Sequence, residues 1–151
     1  VALNVLTDAF RQGQFDASTA GLPVNFATDS LAFLLVTQAG DSVADVTKRS
    51  YIFETAVGNE IGAGSGYNTR GVVPGGQSVT QAASVVSLTS ANPTWSTATI
   101  TAYGGWLYKY LATAATSPLI GYYTFGAAII STAGTFTVQI SASGWISVSG
   151  G

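Results

Sequence analysis

Three observations predict an all-β fold, two sheets packed as a sandwich and preceded by a short N-terminal helix. From Pro23 onward, short runs of β-favouring residues alternate with Gly, Pro, Asn and Ser. The chain has 151 residues, a size for one domain and one core, and 47% of it is apolar, with the aromatic residues placed inside the β-like runs. Asn92 to Lys109 reads as a turn followed by one long strand, because Pro93 fixes its own φ and pushes Asn92 towards extended backbone.

In chain order, the helix is Asn4 to Gly13, with Asn4 as its cap, Val5, Leu6, Ala9 and Phe10 as an apolar stripe and Gly13 as its stop. So short a helix needs a surface to dock on, and its own subunit is the expected one. The expected strands are Val24 to Ala27, Leu31 to Thr37, Tyr51 to Thr55, Ser78 to Leu88, Thr97 to Tyr110, Leu119 to Ala127, Thr135 to Ser141 and Trp145 to Val148. Alternation along the long strand sets Trp95, Thr97, Thr99 and Thr101 on one side and Ser96, Ala98, Ile100 and Ala102 on the other. Gly58 to Tyr67 and Gly71 to Gly76 read as a long loop region, flexible and suited to contact. One domain, residues 1–151, therefore comprises an N-terminal arm with the helix (1–22) and a sandwich (23–151).

Composition narrows function. There is no cysteine, histidine or methionine, which removes disulfides, Cys/His zinc sites, thiol nucleophiles and His-based triads. Charged residues make up 8% of the chain, and after Lys109 no ionisable side chain other than tyrosine occurs. An average domain carries about 25%. Soluble domains keep apart by interspersed charge, so the C-terminal third is expected to pack against other copies or another protein. A net charge of −2 opposes nucleic-acid binding, and no apolar run reaches the ~20 residues of a membrane span.

Motifs of chemistry are incomplete. Counted from Gly62 or Gly64, the G-x-G-x-x-G pattern ends on Tyr67 or Thr69, so a phosphate loop is not expected. Asp41 with Asp45 and Glu54 with Glu60 are the carboxylate pairs available for acid/base work, and the Asp41, Ser42, Asp45 turn lacks the full ligand spacing of a calcium loop. Serine has no evident base to activate it. Trp95, Trp106, Tyr108, Tyr110, Tyr122 and Tyr123 would mark a carbohydrate-binding module if they formed an exposed row, and core or interface if they did not. No catalytic residue, cofactor or metal is expected.

An ordered series of patterns carries a resemblance: Ala2-Leu3-Asn4-Val5-Leu6, Leu31 to Val36, Asn59 to Tyr67, Thr94-Trp95-Ser96, Gly105 to Lys109, Leu119 to Gly126 and Gly134 to Ile140. In this order the chain resembles the small β-rich virion proteins of tailed bacteriophages that decorate or cement the capsid. The resemblance implies a jelly-roll-like sandwich without enzymatic activity, a homotrimer on the capsid exterior that bridges neighbouring major capsid proteins. A phage tail or baseplate component, or a carbohydrate-binding module taking a host-surface glycan, are the alternatives. The polar stretch Gly40 to Arg49 and the segment Val72 to Gly76 depart from the pattern. Expected contact residues are Leu3, Val5, Phe10, Arg11, Tyr67, Arg70, Trp106, Tyr108 and Tyr122.

Overall fold

A computed structural model describes residues 5–16, 21–37 and 53–149. The fold is mostly β and sandwich-like, with one short N-terminal helix. The strands are β1 (Val5–Leu6), β2 (Leu31–Val36), β3 (Ser78–Ala82), β4 (Val85–Thr89), β5 (Thr94–Lys109), β6 (Leu119–Thr137) and β7 (Ile146–Ser149), and the helix α1 is Asp8–Asp16. The first sheet has the order β1-β6-β5-β2, in which β1 contributes only two residues, and the second has the order β3-β4-β7. All pairings between strands are antiparallel. The chain passes from the first sheet to the second, back for β5 and β6, and over again for β7, so the sheets are built together.

β2 lies at the centre of the packing. All six of its residues are apolar and buried, as expected of a strand covered on both faces. Leu31, Phe33 and Leu35 point into the larger core, whereas Ala32, Leu34 and Val36 join Trp106, Tyr108, Leu119 and Tyr122 in a second cluster. The second sheet docks on the larger core through Trp145, whose ring stacks on Phe33 at 5.0 Å and whose backbone N–H donates to the Leu88 carbonyl at 2.7 Å. Glycines 104 and 105 open the crowded centre, since a Cβ at either would run into Tyr122 or Phe33.

The helix begins later than the sequence predicts. Val5 and Leu6 pair as a strand with Tyr122 and Gly121, and Thr7 is the cap, its Oγ1 accepting the Phe10 N–H at 3.1 Å. Asn4 lies outside the described residues, and Gly13 is within the helix, where a Cβ would strike Leu22. The helix docks on its own subunit, as expected, through Phe10, whose ring lies 5.8 Å from Phe26.

Other differences have local causes. Asn25 to Asp29 is a turn rather than a strand, closed by the Asp29 N–H on the Asn25 carbonyl and the Ala27 N–H on Asn25 Oδ1. Of Tyr51 to Thr55, the described part is an isolated bridge at Phe53 and a 3-10 turn at Glu54–Ala56. The predicted strand Ser78 to Leu88 is a hairpin, turned at Ala83, which takes a φ of 52°. Two predicted strands merge into β6, because β5 is long enough to pair across the Ala128–Gly134 interval, and Val138 to Ser141 lies beyond the strand.

A bulge in β5 reverses the face of Trp95. Pairing steps from Trp95 with Phe136 to Ala98 with Gly134, three residues on one strand against two on the other, and Thr97 has a φ of 51°. Trp95 thereby shares the core face with Ala98, Ile100 and Ala102, while Thr99 and Thr101 face outward. The Ser65–Gly66 turn sits on this bulge. Thr99 N–H donates to the Ser65 carbonyl at 2.8 Å, and a Cβ on Gly66 would lie 2.7 Å from Ala98 Cα.

Candidate functional site

The glycine-rich region is a packed strap along the outer edge of β2. Phe33 and Val72 exchange both backbone hydrogen bonds, Ile61 N–H donates to the Leu35 carbonyl, and Thr37 N–H donates to the Asn59 carbonyl. Gly71, at a φ of 68°, permits the contact, because a Cβ there would collide with the Phe33 carbonyl. The expectation of a flexible contact loop is thus corrected at its contact points with the sheet: Gly66 and Gly71 serve close approach, whereas a Cβ at Gly58, Gly62, Gly64 or Gly75 would meet nothing within 4 Å.

Arg70 holds the strap. Its Nε and a terminal nitrogen clamp the Glu54 carboxylate at 2.7–2.9 Å, and the same terminal nitrogen donates to the Leu111 carbonyl and Ser117 Oγ. The guanidinium carbon also lies 4.3 Å from the centre of the Tyr110 ring. Glu54 is only 5% exposed, and this arginine is its ion-pair partner among the described residues. The bond from Glu54 keeps the Arg70 pKa above its usual value.

Glu60 joins from the other side, accepting the Arg70 backbone N–H and the Tyr67 hydroxyl. Burial raises its pKa, and those two donors oppose the rise. The Tyr67 hydroxyl in turn accepts the Leu35 N–H at 3.0 Å, and the Tyr108 hydroxyl donates to the Arg70 carbonyl at 2.6 Å. Burial pushes both phenols well above their ordinary range and Tyr122 to about 12. Glu54 and Glu60 do converge, but on one arginine inside the strap. Asp41, Ser42 and Asp45 lie outside the described residues.

The expected contact residues divide three ways. Leu3 lies outside the described residues, and Val5 gives its backbone to β1. Phe10, Tyr67, Trp106, Tyr108 and Tyr122 are buried within the subunit and so form its core rather than an outer face. Arg11 is exposed and paired with Asp8, and Arg70 is the centre of the strap. Of the six aromatic residues considered for a sugar platform, Trp95, Trp106, Tyr108 and Tyr122 are buried, Tyr123 is half-buried against the core and Tyr110 is exposed, which does not make a row.

The exposed apolar surface lies elsewhere. β1 covers β6 only at Gly121 and Tyr122, and among the described residues no strand pairs with the outer edge of β6 beyond that point. Ile130 is 67% exposed and Ile129 47% exposed on this edge, beside an apolar groove of about 420 Å³ lined by Phe125, Ile129 and Thr135 to Gln139. On the second sheet, Val86 and Val148 stand directly opposite each other and both are exposed. From Gly71 to the end of the chain the only ionisable side chain other than tyrosine is Lys109, and it is paired with Asp29 at 2.9 Å. The uncharged C-terminal third was evident in the sequence; that β6 is an edge depends on pairing, which no local pattern shows. Searches against protein-family models, curated proteins and solved structures find no match.

Proposed function

We propose that this chain is a structural virion protein that decorates and cements the capsid of a tailed bacteriophage, bridging adjacent major capsid proteins on the outer surface. The observation that carries the reading is the uncharged, apolar open edge of β6, together with the exposed valines of the second sheet. A cementing protein works through broad contact that excludes water, and strand edges and neutral apolar faces make such contact without stranding charge. Many copies on one shell multiply modest contacts by avidity. The ordered sequence patterns support the same reading, and the buried aromatics weigh against a glycan platform.

Antibody raised against the purified chain and applied to intact virions tests the proposal. Gold label over the head surface is the expected result. Label on the tail would replace it with the tail or baseplate reading, and virions without the protein would overturn both.

A further inference from the structure

Glu60 stands at the middle of the strap's contact with β2. It lies opposite Val36, between the Asn59 carbonyl that accepts the Thr37 N–H and the Ile61 N–H that donates to the Leu35 carbonyl. Its two hydrogen bonds, from the Tyr67 hydroxyl and the Arg70 backbone N–H, both fall on Oε1. Among the described residues no donor reaches Oε2, so a proton can settle there without breaking either bond.

The charges around Glu60 leave a place for that proton. Among the described residues Glu54 and Glu60 share one cation, Arg70, and its guanidinium donates to Glu54, Leu111 and Ser117 but not to Glu60. The other described cations, Arg11 and Lys109, are paired with Asp8 and Asp29. Tyr67 of the strap and Tyr108 of β5 face Glu60 with neutral phenols, Tyr110 lies beyond them on the guanidinium, and β2 brings only apolar side chains. Glu54, Arg70 and Glu60 therefore leave a net negative charge in a place where Glu60 is only partly open to water.

We infer that Glu60 makes the strap a proton-sensitive clasp: a proton taken up on Oε2 in weak acid tightens the hold of residues 59–72 on β2, and its loss slackens that hold. Neutral Glu60 still accepts from Tyr67 and Arg70 through Oε1, and the net charge of the cluster is gone. Desolvation opposes the charged form more strongly than the two donors favour it, so the closed strap binds the proton more tightly than an opened one. The strap stays shut on both sides of the titration; what changes is the free energy that keeps it so. This inference concerns the isolated chain and does not rest on the decoration reading.

Two measurements on the full chain test it. Carboxyl-carbon NMR follows Glu60 itself, and hydrogen exchange at the Leu35 amide, taken relative to its rate in an unstructured peptide, follows the strap through the Tyr67 hydroxyl. The Glu60 midpoint is expected above the ordinary glutamate value. Between those two values the protection of Leu35 should fall by about tenfold per pH unit, the limit for one proton held by the closed strap and released on opening. Glu60→Gln, neutral at every pH and with an acceptor kept at Oε1, is expected to abolish the fall. A Glu60 midpoint at or below the ordinary value, a Leu35 protection that stays flat or rises with pH, or the same fall in Glu60→Gln would overturn the inference.

Discussion

β2 and β6, the strands that flank β5 in the first sheet, meet water in opposite ways. β2 has its edge strapped by residues 59–72, with Arg70, Glu54, Glu60 and Tyr67 bonded to one another beneath the strap's surface. β6 is strapped at its first few residues by β1 and then runs on without a described partner strand. The molecule gathers charge where an edge is shut for good and leaves charge out where an edge is free. An edge closed within the subunit can bury an ion pair because its geometry is fixed in advance; an edge that meets a partner must shed its water, and neutral residues do so at least cost.

The largest way to break this contrast is to open the strap. Arg70→Met leaves the buried Glu54 carboxylate without its partner and is expected to cost about 3–5 kcal/mol in urea unfolding. Gly71→Ala forces a Cβ towards the Phe33 carbonyl at a left-handed φ and is expected to cost about 3 kcal/mol in the same assay, with faster hydrogen exchange at the Phe33 amide. Tyr67→Phe removes the acceptor for the buried Leu35 N–H, a loss of about 2 kcal/mol. On the open edge, Ile130→Lys should change the stability of the single subunit by no more than about 0.5 kcal/mol, because the side chain already faces solvent.

Glu60→Gln gives the subtlest reading. Because burial raises its folded pKa above the unfolded value, Glu60 contributes stability that is fully present below the ordinary glutamate pKa and lost as pH rises through the raised one. The amide variant lacks that dependence, so the stability of the wild type relative to the variant should fall across this interval. Thermal unfolding of both proteins at a series of pH values checks the sign, and a difference that grows with pH in favour of the wild type would refute it.

The sequence makes β2, β5 and much of β6 legible, because Leu31 to Val36 is a continuous apolar run and Thr94 onward follows Pro93 with β-favouring residues. It misplaces the helix start because Thr7 competes with Asn4 as a cap, and the winner is set by β1 pairing with a strand more than a hundred residues away. The hairpin at Ala83 and the bulge at Thr97 rest on positive φ at residues other than glycine, which composition does not signal. Arg70 and Tyr67 stood out as residues of interest, yet their partners Glu54 and Glu60 are brought to them by the strap. The aromatics were readable as large and buried or large and exposed, and only the packing decides which.

The strand order also sets a timetable. β2 leaves the ribosome early, but its partner β5 begins only at Thr94, and β1 waits longer still, for β6. β5 and β6 are consecutive and can zip together from the Tyr110–Pro118 connection as soon as both are made. Loop-closure cost favours such local pairing first, so the late-made hairpin becomes the template on which the early-made strands finally settle. Until then the six apolar residues of Leu31–Val36 remain without their sheet, and the nascent chain is most exposed to aggregation before that hairpin is complete.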